Sequence, residues 1–560
     1  MQHSGKKVQA MAAAAGASFA VLLAAGPAEA YCRYLSTTPA AWDAVSSGGC
    51  YPGSGDGGDY LLFWAGLCAG YSLQQDASRY VTLADATTLA AQAFAAWSAA
   101  ECSQGGSPSI QAVNVGTAAC SSVQYNQCEP NQNVIVFRDD GWPSDADHDP
   151  GNLALTTVQF NNGTDSPDDP QGGQILGADM EINESNFRLV ADPSTFDAGS
   201  DGVDVYPLLP VLMHEAGHFL GLAHSADETA LMYAYYHASS AAGLTQDDVE
   251  GICATAVPGG LRLTTNAGVV DAGTTCDPTP SNGFQSQCGD PTACPAPTGD
   301  DGGSAAREGD GPGPSAQDAG GCAVGASNVL PRSLGAGVAG LFGLVLALRR
   351  LARSRRTTAV FLACLALMTG AAAARGDREA GASTSVEVTF EELVHSATAV
   401  AVVTPIHRHS GREGRRIVTH VRAKVESLLA GLLPDEIGVR TLGGVAGRIG
   451  EIVEGQASFS ANQPVLVFLR PSKDEPGQFV VVAQAQGQFS VVTGPDAKVR
   501  VVGGPNPGAL VPAGAHRLEE LSKLLAPGQA PRLARTLLAE RTLDDVRSLV
   551  VSVWDRLHAR

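Results

Sequence analysis

The run His214-Glu-Ala-Gly-His-Phe-Leu-Gly-Leu-Ala-His224 leaves this chain few ways to fold. In a helix, His214 and His218 lie one turn apart on the same face, so both imidazoles reach a single metal ion. Glu215 then sits beside them, near the metal's open position. Gly221 accepts a positive φ, which ends the helix and turns the chain so that His224 returns as a third nitrogen ligand. Three neutral nitrogens suit zinc and leave a fourth position for water. The pKa of water on such an ion falls from about 15.7 toward about 7, and Glu215 is placed to take its proton and pass it to a departing amine. The chemistry implied is metal-assisted amide hydrolysis. For a bare H-E-x-x-H the plainer reading is a helix whose histidines only fill space; Gly221 and His224 together argue against it.

The full run resembles the metzincin signature, in which a Met-turn follows the third histidine, and here Ala230-Leu231-Met232-Tyr233 follows His224. Ser225, the Leu-Met-Tyr-Ala-Tyr run ending at Tyr235, and the segment from Leu244 to Ile252 are similar to the matrixins among them. The resemblance implies an α+β fold: a metzincin (zincin-like) catalytic domain with a small, twisted, mostly parallel sheet and an active-site helix. It implies zinc on His214, His218 and His224, Glu215 as catalytic base and acid, and Met232 beneath the metal. Tyr235 would help wall the pocket for the side chain that follows the cleaved bond.

Upstream, an alanine-rich helix is expected from about Leu83 through Ser98, with Phe94 and Trp97 facing the core. Short strands are expected at Val134 to Phe137, Leu153 to Phe160 and Ile175 to Ile182. In matrixins an edge strand at the second of these positions lies along the cleft. The resemblance therefore implies that a substrate peptide pairs with it, next to Leu155 and Thr156. It covers about Cys68 to Ala256, about a third of the chain.

Three departures from the family pattern stand out. Where matrixins hold a structural zinc with histidines, this chain has Asp179-Met180-Glu181, and His148, the one histidine nearby, reads as a loop residue. A proline-flanked cysteine that would cap the zinc before activation is absent. Asp139, Asp140, Asp145, Asp147, Asp149, Asp165, Asp168 and Asp169 crowd the loops: they are candidate calcium ligands, as matrixins carry calcium, or a solvated acidic surface. Pro150 stands where an EF-hand needs glycine.

Residues 1–30 read as a secretory signal peptide: Lys6 and Lys7, an apolar run, then Ala28-Glu29-Ala30. Ten cysteines lie between Cys32 and Cys294, an even set that suits disulfides in an exported protein. Their pairing is not readable, although Cys102 with Cys120 is the pair expected from their position around a short strand. From Tyr31 to Pro331 there are roughly thirty more acidic than basic side chains, which excludes nucleic acid as a partner and leaves protein or peptide substrates.

The sequence divides further along. Residues 31–257 read as the catalytic domain and 258–321, rich in Gly, Pro and Asp, as a flexible linker. Residues 322–356 open on the cysteine of Gly320-Gly321-Cys322 and continue with an apolar stretch and an arginine cluster. They resemble the C-terminal sorting tail of myxobacterial surface proteins, which implies a tether at the cell surface or outer envelope of a bacterium. Residues 357–374 look like a second signal peptide. They suit either two exported proteins whose reading frames are joined or a hairpin of two membrane helices. Residues 375–560 contain no cysteine and alternate strand-like segments with turns, as in a separate, mostly-β barrel or sandwich with a helical tail from about Leu518. His407, His409, His420 and Glu426 match no defined metal spacing there. Oligomeric state is not legible. Two function classes emerge: a secreted, surface-associated zinc endopeptidase, or a catalytically silent binding protein on the same fold.

Overall fold

A computed structural model describes residues 31–37, 50, 59–139, 142, 148–163, 171–192, 194, 203–233, 243–264, 269–290, 384–494, 496–504, 510–526 and 528–558. The chain opens with β1 (Cys32–Arg33) and β2 (Cys68–Gln74). Thr82 caps α1 (Leu83–Ser98) by accepting from the Asp85 amide, and Asp85 faces the positive end of the helix. Ala86, Ala90, Ala93, Phe94 and Trp97 form its buried face, as the sequence spacing predicts. Small alanines let the helix lie close, and Trp97 Nε1 donates to the Met213 carbonyl at 2.8 Å, fixing α1 against the histidine-bearing helix.

β3 (Gln111–Ala118), β4 (Val134–Arg138), β5 (Ala154–Asn161) and β6 (Ile175–Asn183) complete a sheet in the order β5-β6-β4-β2-β3. Every pair in it is parallel except β5 with β6. β7 (Arg188–Val190) and β8 (Val205–Pro207) lead into α2 (Leu208–Phe219), which carries His214 and His218. Gly221, at φ 97°, ends that helix, and β9 (Leu222–Ala223) returns to pair with β1. α3 (Gln246–Thr255) follows, then a hairpin of β10 (Leu261–Leu263) and β11 (Val269–Asp271).

Among the described residues, disulfides join Cys32 to Cys50, Cys68 to Cys276, Cys102 to Cys253 and Cys120 to Cys288. The expected Cys102–Cys120 pair is not formed. β3, eight residues at about 3.3 Å each, runs between the two cysteines; Cys102 instead meets Cys253 of α3, and Cys120, just past the strand, meets Cys288. The same bridges hold residues 258–264 and 269–290, read above as the start of a linker, against the catalytic sheet. Cys276 and Cys288 tie them to β2 and to the end of β3. Arg262 buries its guanidinium completely, donating to the carbonyls of Trp64, Gly66 and Ser109 and to Ser109 Oγ. Composition misleads here because covalent and polar ties replace the apolar core that the segment lacks.

The second half begins with β12 (Ser385–Val386) and α4 (Phe390–Ser396), whose Thr389–Glu392 capping box is complete. A long hairpin, β13 (Ala399–Glu413) with β14 (Arg416–Gly431), is followed by β15 (Glu436–Leu442), β16 (Gly444–Ala446), β17 (Ile449–Val453), β18 (Val465–Pro471) and β19 (Gln478–Val481). β13, β14, β15, β19 and β18 close a ring, because β18 pairs with β13 as well as with β19. β20 (Gln488–Thr493) and β21 (Val499–Gly503) extend it, and β22 (Leu510–Val511) pairs with β12. α5 (Ala515–Ser522), α6 (Ala534–Leu538) and α7 (Leu543–His558) form the helical tail. His420 lies beside Glu413 and Glu475 at an exposed strand end.

This half is not separate from the first. β17 pairs antiparallel with β5, so the catalytic sheet has seven strands in the order β16-β17-β5-β6-β4-β2-β3. A bare edge strand offers unpaired amides and carbonyls to any extended segment within reach, and here the chain's own hairpin takes them.

Candidate active site

α2 and the turn at Gly221 bring the three histidines together. His218 Nε2 lies 3.0 Å from His214 Nε2 and 2.9 Å from His224 Nε2. His214 Nδ1 donates to the Leu231 carbonyl at 2.8 Å and His218 Nδ1 to the Leu222 carbonyl at 2.9 Å, so the proton of each ring sits on the outer nitrogen. The inner nitrogens of His214 and His218 are therefore bare lone pairs aimed at each other, which cannot hydrogen-bond. A cation satisfies them: the edge of a zinc tetrahedron with Zn–N near 2.0–2.1 Å is about 3.3 Å. Burial holds His214 down to about 4 and His218 well below the ordinary histidine value, which keeps both neutral as ligands must be. Among the described residues, this is the buried group that could hold a metal ion.

Glu215 is fully buried beside them, and burial raises its carboxyl to about 7 against the pull of its hydrogen bonds. Thr156 Oγ1 donates to its Oε2 at 2.6 Å; the Thr384 amide and hydroxyl lie 3.4 and 3.2 Å from its Oε1. Thr156 thus holds the carboxylate rather than presenting its side chain to a substrate. Leu155 is buried, with no exposed surface. Tyr235 lies outside the described residues.

Two further groups were not singled out from sequence. Tyr34, from the segment after β1, places its hydroxyl oxygen 3.0 Å from His218 Nδ1 and donates to Glu454. Glu454 in turn has its Oε2 3.7 Å from His224 Nδ1. Neither belongs to a local pattern that a sequence window reveals.

Met232 is buried and rests against α2 at Gly217. A Cβ on Gly217 would overlap the Met232 sulfur and come within 2.9 Å of Trp97. Asp248 fixes the turn from behind: its Oδ1 accepts from the Met232 amide at 2.9 Å and its Oδ2 from the Leu231 and Thr245 amides at 2.7 and 2.8 Å. The signal for Asp248 was present in the sequence, since Thr245-x-x-Asp248 is a capping box that also serves the turn. Gly217→Ala tests the packing. Helix propensity alone favours alanine by about 1 kcal/mol, whereas overpacking a filled core costs about 1–3 kcal/mol. We expect a lower melting temperature in thermal denaturation; an unchanged or higher one would show that Met232 yields freely.

Where the departures from the matrixin pattern fall, the structure has a charge cluster. Glu181 is buried with His148 Nε2 at 3.2 Å, Arg138 at 2.5 Å and Arg416 of the second half at 3.7 Å. Burial pushes its carboxyl up, but these cations outweigh that and hold it well below the usual range. His148, read as a loop residue, is therefore a buried ion-pair partner. Asp179 accepts from the Gln124 and Val134 amides, and burial lifts it to about 7. Of the acidic loop residues, Asp139 pairs with Arg79 and Asp149 accepts from the Gly151 amide. The other six lie outside the described residues.

Comparison with known proteins agrees with this geometry. A family model described as Matrixin matches residues 145–255. Interstitial collagenase of Bos taurus is 53% identical over 109 residues, covering 18% of this chain and 21% of that protein. Neutrophil collagenase of Homo sapiens is 38% identical over 105 residues, covering 18% and 21%. Metalloendoproteinase 1 of Glycine max is 32% identical over 110 residues, covering 19% and 36%. The chain thus spans about a fifth to a third of the length of these relatives. The motif, the converging nitrogens and the match all fall on one stretch, and residues 145–255 are a matrixin domain.

Proposed function

We propose that this protein is a secreted, surface-associated zinc-dependent endopeptidase acting on proteins or peptides. The observation that carries the reading is the meeting of three histidine Nε2 atoms, those of His214 and His218 free of a proton, beside a buried carboxylate. When bound there, zinc supplies Lewis acidity toward a carbonyl and an acidified water. His214, His218 and His224 hold it, with Leu231 and Leu222 orienting two of the rings through their carbonyls. Glu215, with a carboxyl poised near neutrality, accepts a proton and returns it to the leaving amine, and Thr156 keeps its Oε2 in place. The edge of β5, which β17 pairs with in this structure, would receive the substrate backbone once that strand is displaced.

The disulfides support an oxidising, extracytoplasmic location. The tether is assigned to 322–374, which lies outside the described residues; among the described residues no helix is long and apolar enough to cross a membrane. Calcium in the acidic loops is a secondary part of the proposal.

The test is made on the full chain. We expect stoichiometric zinc by mass spectrometry, its loss in His218→Ala, and chelator-sensitive cleavage of a mixed peptide library, measured in the wild type and in a Gly450→Val variant that opens the cleft. A chain that takes up no zinc refutes the proposal. Zinc with no cleavage in either form leaves the binding-protein reading.

A further inference from the structure

We infer that residues 384–560 are an inhibitor of the zinc cleft carried on the same chain, a reading that rests on the endopeptidase assignment above. The edge of β5 is the surface a substrate needs, and it is taken at both ends. β17 pairs antiparallel with Thr157 to Asn161 through the register Val453↔Thr157 to Ile449↔Asn161. At the other end, the Thr384 carbonyl accepts from the amides of Leu153 and Ala154, and the Val386 amide donates to the Gly151 carbonyl at 2.6 Å. An incoming peptide finds both stretches of hydrogen-bonding edge occupied.

Between these two segments the chain reaches the reacting groups themselves. Thr384 caps Glu215 Oε1, and Glu454, which directly follows β17, is buried against Tyr34 and His224. Ile452 and Val386 are buried in the catalytic core cluster rather than in that of their own domain. Polar contacts specify the partner: Arg416 faces both Glu181 and Glu451, and Gln159 Nε2 donates to Glu451 Oε2 at 3.4 Å.

The manner of occupation separates an inhibitor from a substrate. A substrate lies as one continuous strand past the metal with a peptide bond at the reacting centre. Here β17 ends at Val453, Gly455 turns at φ 72°, and the other end of β5 is met by a segment more than sixty residues earlier in the chain. The cleft is filled from two sides by pieces that lay no single backbone across it, so the module blocks without being cut.

The experiment uses zinc-loaded full chains and a fluorescent peptide hydroxamate long enough to pair along Thr157 to Asn161, with affinity read by anisotropy. A Cβ on Gly450 would fall inside the Phe160 ring, so Gly450→Val wedges β17 off β5 while leaving every zinc ligand untouched. We expect it to bind the probe at least tenfold more tightly than the wild type, with peptide hydrolysis rising in step. Glu454→Gln, which keeps the strand and removes the buried charge, is expected to bind severalfold more tightly. Equal probe affinity in all three chains, each carrying zinc, overturns the inference and leaves the endopeptidase reading standing. If Gly450→Val loses its cooperative melt, the decision passes to Glu454→Gln, where unchanged affinity is the overturning result. Chains that hold neither zinc nor probe remove both readings together.

Discussion

Glu215→Ala is expected to lower peptide hydrolysis by about 10²–10⁴-fold while the zinc stays bound, the range general acid–base catalysis supplies. The side chain is positioned for that role alone. It is not among the three nitrogens that converge, and it is fixed by Thr156 on one oxygen. Because burial raises its carboxyl to about 7, truncation removes a group poised to exchange a proton and relieves a buried carboxylate. The variant should therefore fold at least as well as the parent. The comparison is best made in the Gly450→Val background, where the cleft is open, with zinc measured by mass spectrometry on the same samples. Retained hydrolysis would remove Glu215 from the mechanism, and loss of zinc would make it a structural member of the site.

Asp248→Asn is expected to weaken zinc binding by about 10–100-fold, the usual effect of losing a partner behind a metal ligand, although Asp248 touches no histidine. The linkage is physical. Its carboxylate gathers the amides of Leu231, Met232 and Thr245, and the Leu231 carbonyl so held accepts from His214 Nδ1. Asparagine would turn one oxygen into a donor facing N–H groups, leaving buried donors unpaired at about 1–3 kcal/mol each. A chelator competition reads the zinc affinity, and urea denaturation reads the stability. If neither moves, the turn is held by Met232 packing instead, and Asp248 is dispensable.

Both predictions show where the sequence was and was not sufficient. His214, His218, Gly221 and His224 were legible because their relation is local: helical periodicity places two rings on one face, and one glycine dictates the turn. The buried face of α1 and the cores of β4, β5 and β6 followed from the same short-range rules. The expectation that β5 presents an edge for an extended peptide came instead from the resemblance to matrixins.

What occupies that edge was decided only in three dimensions. β17 stands some 290 residues beyond β5, and no window of sequence carries the information that Val453 faces Thr157 or that Glu454 reaches His224. Cys102 meets Cys253 of α3 rather than Cys120, nearer in sequence, with β3 running between the two. Residues 258–264 and 269–290 are held against the catalytic sheet because disulfides and one buried arginine can do what composition alone suggested was impossible. The sequence by itself determined which three histidines converge, the carboxylate beside them and the elements that carry them, since these depend on neighbours within a few turns. Tertiary structure decided what closes the cleft, since pairing across hundreds of residues depends on which exposed edge meets which unpaired strand.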